Sequence, residues 1–426
     1  MLSTVKSIFS VRSTARILVL YLIFSFLFYA YRYPLSYNDE GTSGTYSATP
    51  LAFQIAKYAF TVLFAFFFTV SFFGHKALSE KKTFPNLPIF AMGFFLLLYI
   101  FKLSFALEGP ISAGVKTLFF FPIILIASAS NISFESAYLK KLFLFFLVIS
   151  LIADAVQIGL YLGIHRLPAL AYLDGKFVRF GGVWDDPNAF ACFLMLPLGI
   201  LLSDQQNRSL KRYVLIAACV GMLILTLSLT GLIMLIVLLS LDSILKKRHY
   251  VVILLLGFFA LWLSFVNFDF LKNLIADFIL SKEGSISEHA NYASVLERYS
   301  LSHIPFGNPT DFYIPESYYI GFFVNFGIIA FLALWAIQIS FLVRVYAFYK
   351  LSKRTGMYED AVFFRGAFLF LLCFFAGNMF IPYYTIYPIN FIFWFLFVVC
   401  WNKMYSAPRF GASPSTSFTE RPQLST

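Results

Sequence analysis

The stretch Arg179-Phe-Gly-Gly-Val-Trp-Asp-Asp-Pro-Asn-Ala-Phe-Ala-Cys-Phe-Leu-Met-Leu-Pro-Leu-Gly-Ile-Leu-Leu-Ser203 decides how the rest of the chain is read. Its second half carries no charge. Its first half sets a cation, two carboxylates, two glycines and a proline directly against that apolar run. A polar, turn-rich mouth opening onto an uncharged helix is the pattern of a segment entering a bilayer from its surface. Asp186-Pro187-Asn188 predicts the helix start, with Asp or Asn as N-cap and Pro in the first turn. The positive helix end then faces the mouth and suits an anion such as phosphate.

Similar apolar runs fill the chain on both sides. Of 426 residues, 60% are hydrophobic and 12% charged, with 56 Phe and a mean hydropathy of +0.80. Soluble domains hold about 45–50% apolar and about 25% charged residues, so the reading is an all-α, polytopic transmembrane helical bundle. A helix crosses the hydrocarbon core in about 20 residues. Scanning for such runs gives about twelve spans, near 17–31, 51–73, 88–107, 113–130, 142–164, 188–203, 213–229, 231–245, 250–266, 317–345, 363–381 and 387–401. The run 213–245 is broken only by Thr226-Leu-Ser-Leu-Thr-Gly231, which reads as the turn of a hairpin of two short helices. The run 17–31 follows Lys6, Arg12 and Arg16 as a signal peptide would, but no small-residue cleavage site ends it, so it is read as a retained first span.

The net charge of +11 does not point to nucleic acid, because the basic residues recur in short clusters between apolar runs. Most fall on one side of the twelve-span scheme, including Arg16, Lys81, Lys140, Lys141, Arg212, Lys246, Lys353 and Lys403. By the positive-inside rule that side, with both termini, is cytoplasmic. The opposite, outer side then carries two long loops, 165–187 and a large one, 267–316, between spans nine and ten. Residues 1–406 form a single transmembrane domain, and 407–426, rich in Ser, Thr and Pro, a disordered cytoplasmic tail. Cys192, Cys219, Cys373 and Cys400 all sit in apolar runs and read as small core residues.

The outer loops hold the residues that could carry chemistry. The first contains Arg166, Lys176 and Arg179 beside Asp174, Asp185 and Asp186, and Gly181-Gly182 lets backbone amides approach a ligand. The alternative for this segment is structural: an Asp caps the next span and Arg179 snorkels to head groups. The second contains Lys282, Arg298, His303 and Pro305-Phe-Gly307, and ends at Glu316-Ser317. Arg298 either grips a diphosphate with its planar fork or pairs with Glu288 or Glu297. Glu316 is either a general base or the N-cap of the tenth span. The five histidines are scattered, with only His303 kept as a lesser candidate; Asp185-Asp186 is the sole alternative for a divalent ion, and the expectation is no metal and no cofactor. Neither a P-loop nor GxGxxG occurs.

Arg179-Phe-Gly-Gly-Val-Trp-Asp-Asp-Pro-Asn188-Ala-Phe-Ala resembles the Arg-x-x-Gly-x-x-x-x-Pro-Asn-x-x-Ala signature of the O-antigen polymerase and ligase superfamily. The order of parts is similar too: the Thr226–Thr230 turn, Arg298, Pro305-Phe-Gly307, Glu316-Ser-Tyr-Tyr-Ile320 and Gly327 follow in turn. The likeness spans about 142–345. It implies a GT-C-like membrane glycosyltransferase in the bacterial inner membrane, acting on its outer face. The donor is an undecaprenyl-diphosphate-linked oligosaccharide, no metal is used, and Arg179 and Arg298 bind the diphosphate. Glu316-Ser317 stands where ligases carry His-Asn, which favours a polymerase of surface polysaccharide: O-antigen, capsule or exopolysaccharide. A chain-length regulator and a flippase are the partners this implies, besides the bilayer. Substrate contacts are expected from Arg166, Lys176, Asp185, Asp186, Asn188, Lys282, His303 and Asp154. Asp154 and Gln157, one turn apart inside the fifth span, either line the acceptor cavity or pair with Lys57, Lys102 or Lys116. The rival readings are a ligase moving finished glycan to lipid A core or protein, a lipid-linked oligosaccharide flippase, and a proton-coupled transporter using Asp154.

Overall fold

Long runs of Phe, Leu, Ile and Val offer the backbone no polar partner but itself, and the chain satisfies it with helices. The computed structural model describes residues 11–28, 134–164, 171–174, 177–184, 186–246, 304–307, 317–384, 386 and 389–406, with isolated positions between 59 and 105. Eight helices have their bounds among these residues: α1 Val11–Phe28, α2 Ser136–Ile164, α3 Pro187–Ser203, α4 Leu210–Leu225, α5 Leu229–Lys246, α6 Tyr318–Arg354, α7 Tyr358–Gly377 and α8 Ile389–Ser406.

Four of them, α2, α5, α6 and α7, are long and apolar enough to cross a membrane. Helices α3 and α8 are equally apolar over shorter lengths. Several of the other expected spans, such as 113–130 and 250–266, lie outside the described residues, as does the tail 407–426. The expected break within 213–245 is present, since α4 ends at Leu225 and α5 begins at Leu229.

Two boundaries depart from the sequence reading. Helix α6 runs 37 residues to Arg354, well past the expected end at 345, and it is two helical pieces joined at Gly327, where φ is 77° and ψ 179°. Helix α7 starts at Tyr358 rather than 363; its first-turn acids Glu359 and Asp360 sit at a favourable helix N-terminus and pair with Lys140 and Lys403.

Helix α3 is the centre of the fold. Apart from Asn188 and Leu202 every residue in it is buried, as a helix apolar on all sides requires. It packs most extensively on α7, and the two backbones meet at a pair of glycines. A Cβ on Gly199 would stand 3.0 Å from the Gly366 carbonyl oxygen, and one on Gly366 would stand 2.8 Å from the Ile200 nitrogen. Small residues at a crossing let apolar helices gain dispersion contact that lipid would otherwise supply. The four cysteines are free and buried in this core.

The described chain is mostly helical, as expected, with one short addition. Within the loop 165–187, β1 Ala171–Asp174 and β2 Phe177–Phe180 pair antiparallel, with Asp174 opposite Phe177 and Tyr172 opposite Arg179. That register leaves Gly175-Lys176 as a two-residue connection. Gly-Lys between Ala-Tyr-Leu-Asp and Phe-Val-Arg-Phe is a hairpin signal that the weight of apolar sequence around it obscured.

The basic clusters gather at one end of the bundle, opposite the hairpin. There Lys140 pairs with Glu359 at 2.7 Å and Asp204 at 3.5 Å, Tyr358 donates to Asp204, and Lys403 binds Asp360 and the Ser136 hydroxyl. Arg212 donates to the Leu201 carbonyl at 2.7 Å. Buried Asp242 accepts from Lys246 at 2.7 Å and from Arg365 at 2.6 Å.

Candidate functional site

The opposite end holds the mouth that the sequence pattern singles out. Asp186 caps α3, its side chain accepting from the Asn188 amide at 2.8 Å, and Pro187 occupies the first turn, where its missing N–H is no loss. The positive end of the most buried helix therefore opens between β2 and the α4–α5 turn.

Arg179 joins these elements. Its position in β2 directs the guanidinium inward, where Nε donates to the Thr226 carbonyl at 2.8 Å and Nη2 to Asn188 Oδ1 at 2.9 Å. The turn that presents Thr226 is tight, with Leu227 at φ 46°. Only 7% of Arg179 is exposed, so the alternative in which it snorkels to head groups is set aside. Tyr383, in the connection between α7 and α8, donates to the Asn188 carbonyl at 3.3 Å. Burial pushes the Tyr383 hydroxyl well above the usual phenol range, with the nearby Asp186 charge adding to the rise and Arg179 opposing it. It therefore stays a donor.

Gly182 is the hinge between hairpin and helix. Its amide donates to Asp154 Oδ1 at 2.8 Å, and its carbonyl accepts from Gln157 Nε2 at 2.8 Å, so the peptides on both sides of Gly182 are held by α2. Asp154 and Gln157 are wholly buried. A backbone amide meets one oxygen of the Asp154 carboxylate, and among the described residues no ion pair joins it to a lysine. Lys57 and Lys116 lie outside the described residues.

Gly182 has φ 66°, and an added Cβ would stand 2.6 Å from the Phe190 ring. Gly182→Ala is expected to destabilise the protein by about 1–3 kcal/mol through left-handed strain and crowding. Thermal unfolding in detergent measures it; a melting point equal to wild type would contradict this geometry.

Each fixed letter of the Arg-x-x-Gly-x-x-x-x-Pro-Asn-x-x-Ala pattern has a place here. Arg179 and Asn188 bond to each other, Gly182 turns the chain, Pro187 opens α3, and Ala191 is met at 2.7 Å by a Cβ built on Gly231 of α5.

Of the loop 267–316, residues 304–307 are described, and they meet the bundle. Residues 304–307 lie in the break of α6, where the Ile328 amide donates to the Ile304 carbonyl at 2.7 Å. Gly307, at φ 83°, backs on Asn325 and Gly327 backs on Pro305, each so closely that a Cβ would strike backbone atoms. Pro305-Phe-Gly307 and Gly327 thus meet although 20 residues separate Gly307 from Gly327. Helix α6 is capped by Ser317, whose hydroxyl accepts from the Ile320 amide; Ser317, and not Glu316, supplies the N-cap. Arg166, Lys176, Asp185, Lys282, Arg298, His303 and Glu316 lie outside the residues whose side chains are described. Of the expected site residues, the structure therefore gathers Arg179, Asp186, Asn188 and, through Gly182, Asp154.

Behind the mouth runs a buried polar chain that the sequence reading did not single out. Tyr319 donates to Gln338 Oε1 at 2.9 Å, Gln338 Nε2 donates to the Tyr384 hydroxyl at 2.9 Å, and Asn378 Oδ1 accepts from the Tyr384 amide at 3.2 Å. The available signal was Gln338 and Asn378 standing inside apolar runs, where polar side chains need partners. Among the described residues no three His, Cys, Asp or Glu side chains gather as a metal site would need. The chain matches no family model, no curated protein and no solved structure.

Proposed function

We propose that the protein is a membrane glycosyltransferase of polymerase type, joining undecaprenyl-diphosphate-linked repeat units of a bacterial surface polysaccharide on the outer face of the inner membrane. One observation carries the reading. At the end of the bundle away from the basic clusters, a nearly buried guanidinium is fixed by two hydrogen bonds beside the N-terminus of α3. The Asp186 carboxylate already caps the helix end, so the fixed positive charge at this mouth is the Arg179 guanidinium, and a cation held in place is what a leaving diphosphate requires. In this mechanism an acceptor hydroxyl attacks the anomeric carbon of the donor, the bond from that carbon to the diphosphate oxygen breaks, and the hydroxyl proton passes to Glu316. Arg179 acts through its field at the mouth, and Arg298 contacts the departing diphosphate.

The test is a gel of surface and lipid-linked glycans from cells lacking the protein. Single repeat units, exported and capped, are expected in place of long chains. Long glycan retained on its lipid carrier would instead mark a ligase, and an unchanged profile would contradict both.

A further inference from the structure

At the basic end of the bundle a cavity of about 340 Å³ opens between the end of α3, the end of α6 and the start of α7. Ligand sites run from about 300 Å³ upward, so its capacity suits a small group. Its lining includes Lys353, Arg365, Ser352, Gln205, Tyr358 and Ala361 and, among the described residues, no carboxylate. We propose that this cavity binds a phosphate group, at the end of the bundle opposite the mouth.

Four features of different origin support it. Ser352 is wholly buried and Arg365 is 3% exposed, yet among the described residues the Ser352 hydroxyl and Arg365 Nε have no hydrogen-bond partner. Buried donors left unmatched cost about 1–3 kcal/mol each, and an oxyanion accepts from both. Second, Asp242 serves two cations, Lys246 and Arg365, so the cluster beside the cavity retains a net positive charge. Third, α7 begins there without a side-chain cap, Met357 occupying the N-cap position. Tyr358 and Ala361 of its first turn line the cavity; their own amides are taken by the Gly356 and Met357 carbonyls, so what this helix end offers an anion is its dipole. Fourth, each nearby acid already has a partner: Asp204 and Glu359 share Lys140, Asp204 also accepts from Tyr358, and Asp360 pairs with Lys403, so the five cations Lys140, Lys246, Lys353, Arg365 and Lys403 still exceed the four acids by one. The site faces away from Arg179 and does not depend on the glycosyltransferase reading.

A phosphate group reaches this end either as a free ion or as the head group of an anionic phospholipid. The full-length protein in uncharged phosphatidylcholine nanodiscs is titrated with inorganic phosphate, and in a second arm is placed in nanodiscs containing phosphatidylglycerol; stabilisation against heat is read in both. Wild type is expected to gain stability in at least one arm, and the arm identifies the source. Lys353→Glu, at an exposed position that leaves the fold intact, reverses charge at the cavity and is expected to weaken the response at least tenfold. Arg365→Lys, which keeps a cation for Asp242 but removes the Nε donor, is expected to weaken it as well. Stabilisation in neither arm, or an equal response from wild type and both variants, would overturn the proposal.

Discussion

Asp242→Ala is expected to lower the stability of the protein by about 3–5 kcal/mol, the scale of a buried ion pair that loses one member. Asp242 is 3% exposed and is the shared partner of Lys246 and Arg365, the latter reaching both its carboxylate and its main-chain carbonyl. Removing the carboxylate leaves two cations at the packed end of α3 and α7. Neutralising a cation in the same background, as in Asp242→Leu with Arg365→Met, is expected to recover much of the loss, because an apolar pair has no charge to desolvate. Thermal unfolding of the two variants in one detergent decides it. A double variant no more stable than Asp242→Ala would show that packing, and not uncompensated charge, governs this end.

Gly327→Val is expected to detach residues 304–307 from α6. Its backbone, near φ 77° and ψ 179°, lies in a region that only glycine occupies readily, and costs about 1–3 kcal/mol for any other residue. The Pro305 carbonyl stands where the new Cβ would go, which adds about 1–3 kcal/mol of overpacking. A helix of this length with a broken turn needs a partner for the interrupted hydrogen bonds, and the Ile304 carbonyl supplies one to Ile328. Limited proteolysis of the loop 267–316 is the readout: cleavage should quicken markedly in the variant while the rest of the bundle resists. Equal cleavage of variant and wild type would mean that the glycine contact does not hold the loop.

What the sequence made legible follows from locality. Asp186-Pro187-Asn188 announces a helix start through short-range capping, and the cap is where it was expected. The Thr226–Gly231 interruption is visible because four polar or turn-forming residues, Thr226, Ser228, Thr230 and Gly231, break a long apolar run. Charge clusters mark one end of the bundle because burying a lysine needs a partner, and Lys140, Lys246 and Lys403 all have one there.

What stayed hidden depends on pairs far apart in the chain. Gly199 with Gly366 and Gly307 with Gly327 become meaningful only when two backbones touch, and glycine carries no sign of which neighbour it admits. Arg179 is the instructive case. The pattern identifies it as a cation at a membrane mouth, for which solvent is the default expectation, whereas the fold withdraws it to meet Thr226 and Asn188. The β-hairpin was missed for a related reason, since four-residue strands carry little periodicity against the surrounding helical signal. The twelve-span count rests on hydropathy, which marks apolar runs without saying which become full crossings; four helices reach that length among the described residues.

The central claim is that positive potential held at the mouth drives transfer from a lipid-linked diphosphate. Purified protein is therefore assayed for elongation of an undecaprenyl-diphosphate-linked repeat unit, comparing wild type with Arg179→Gln, and each is checked for its melting point. Glutamine is chosen over glutamate because a carboxylate would face the Thr226 carbonyl and Asn188 Oδ1, two acceptors. The account predicts elongation by wild type and a loss of about 10²–10³-fold in Arg179→Gln, the scale of removing one preorganised charge stabiliser, in protein that still unfolds cooperatively. Wild-type rates in a folded Arg179→Gln protein would contradict it.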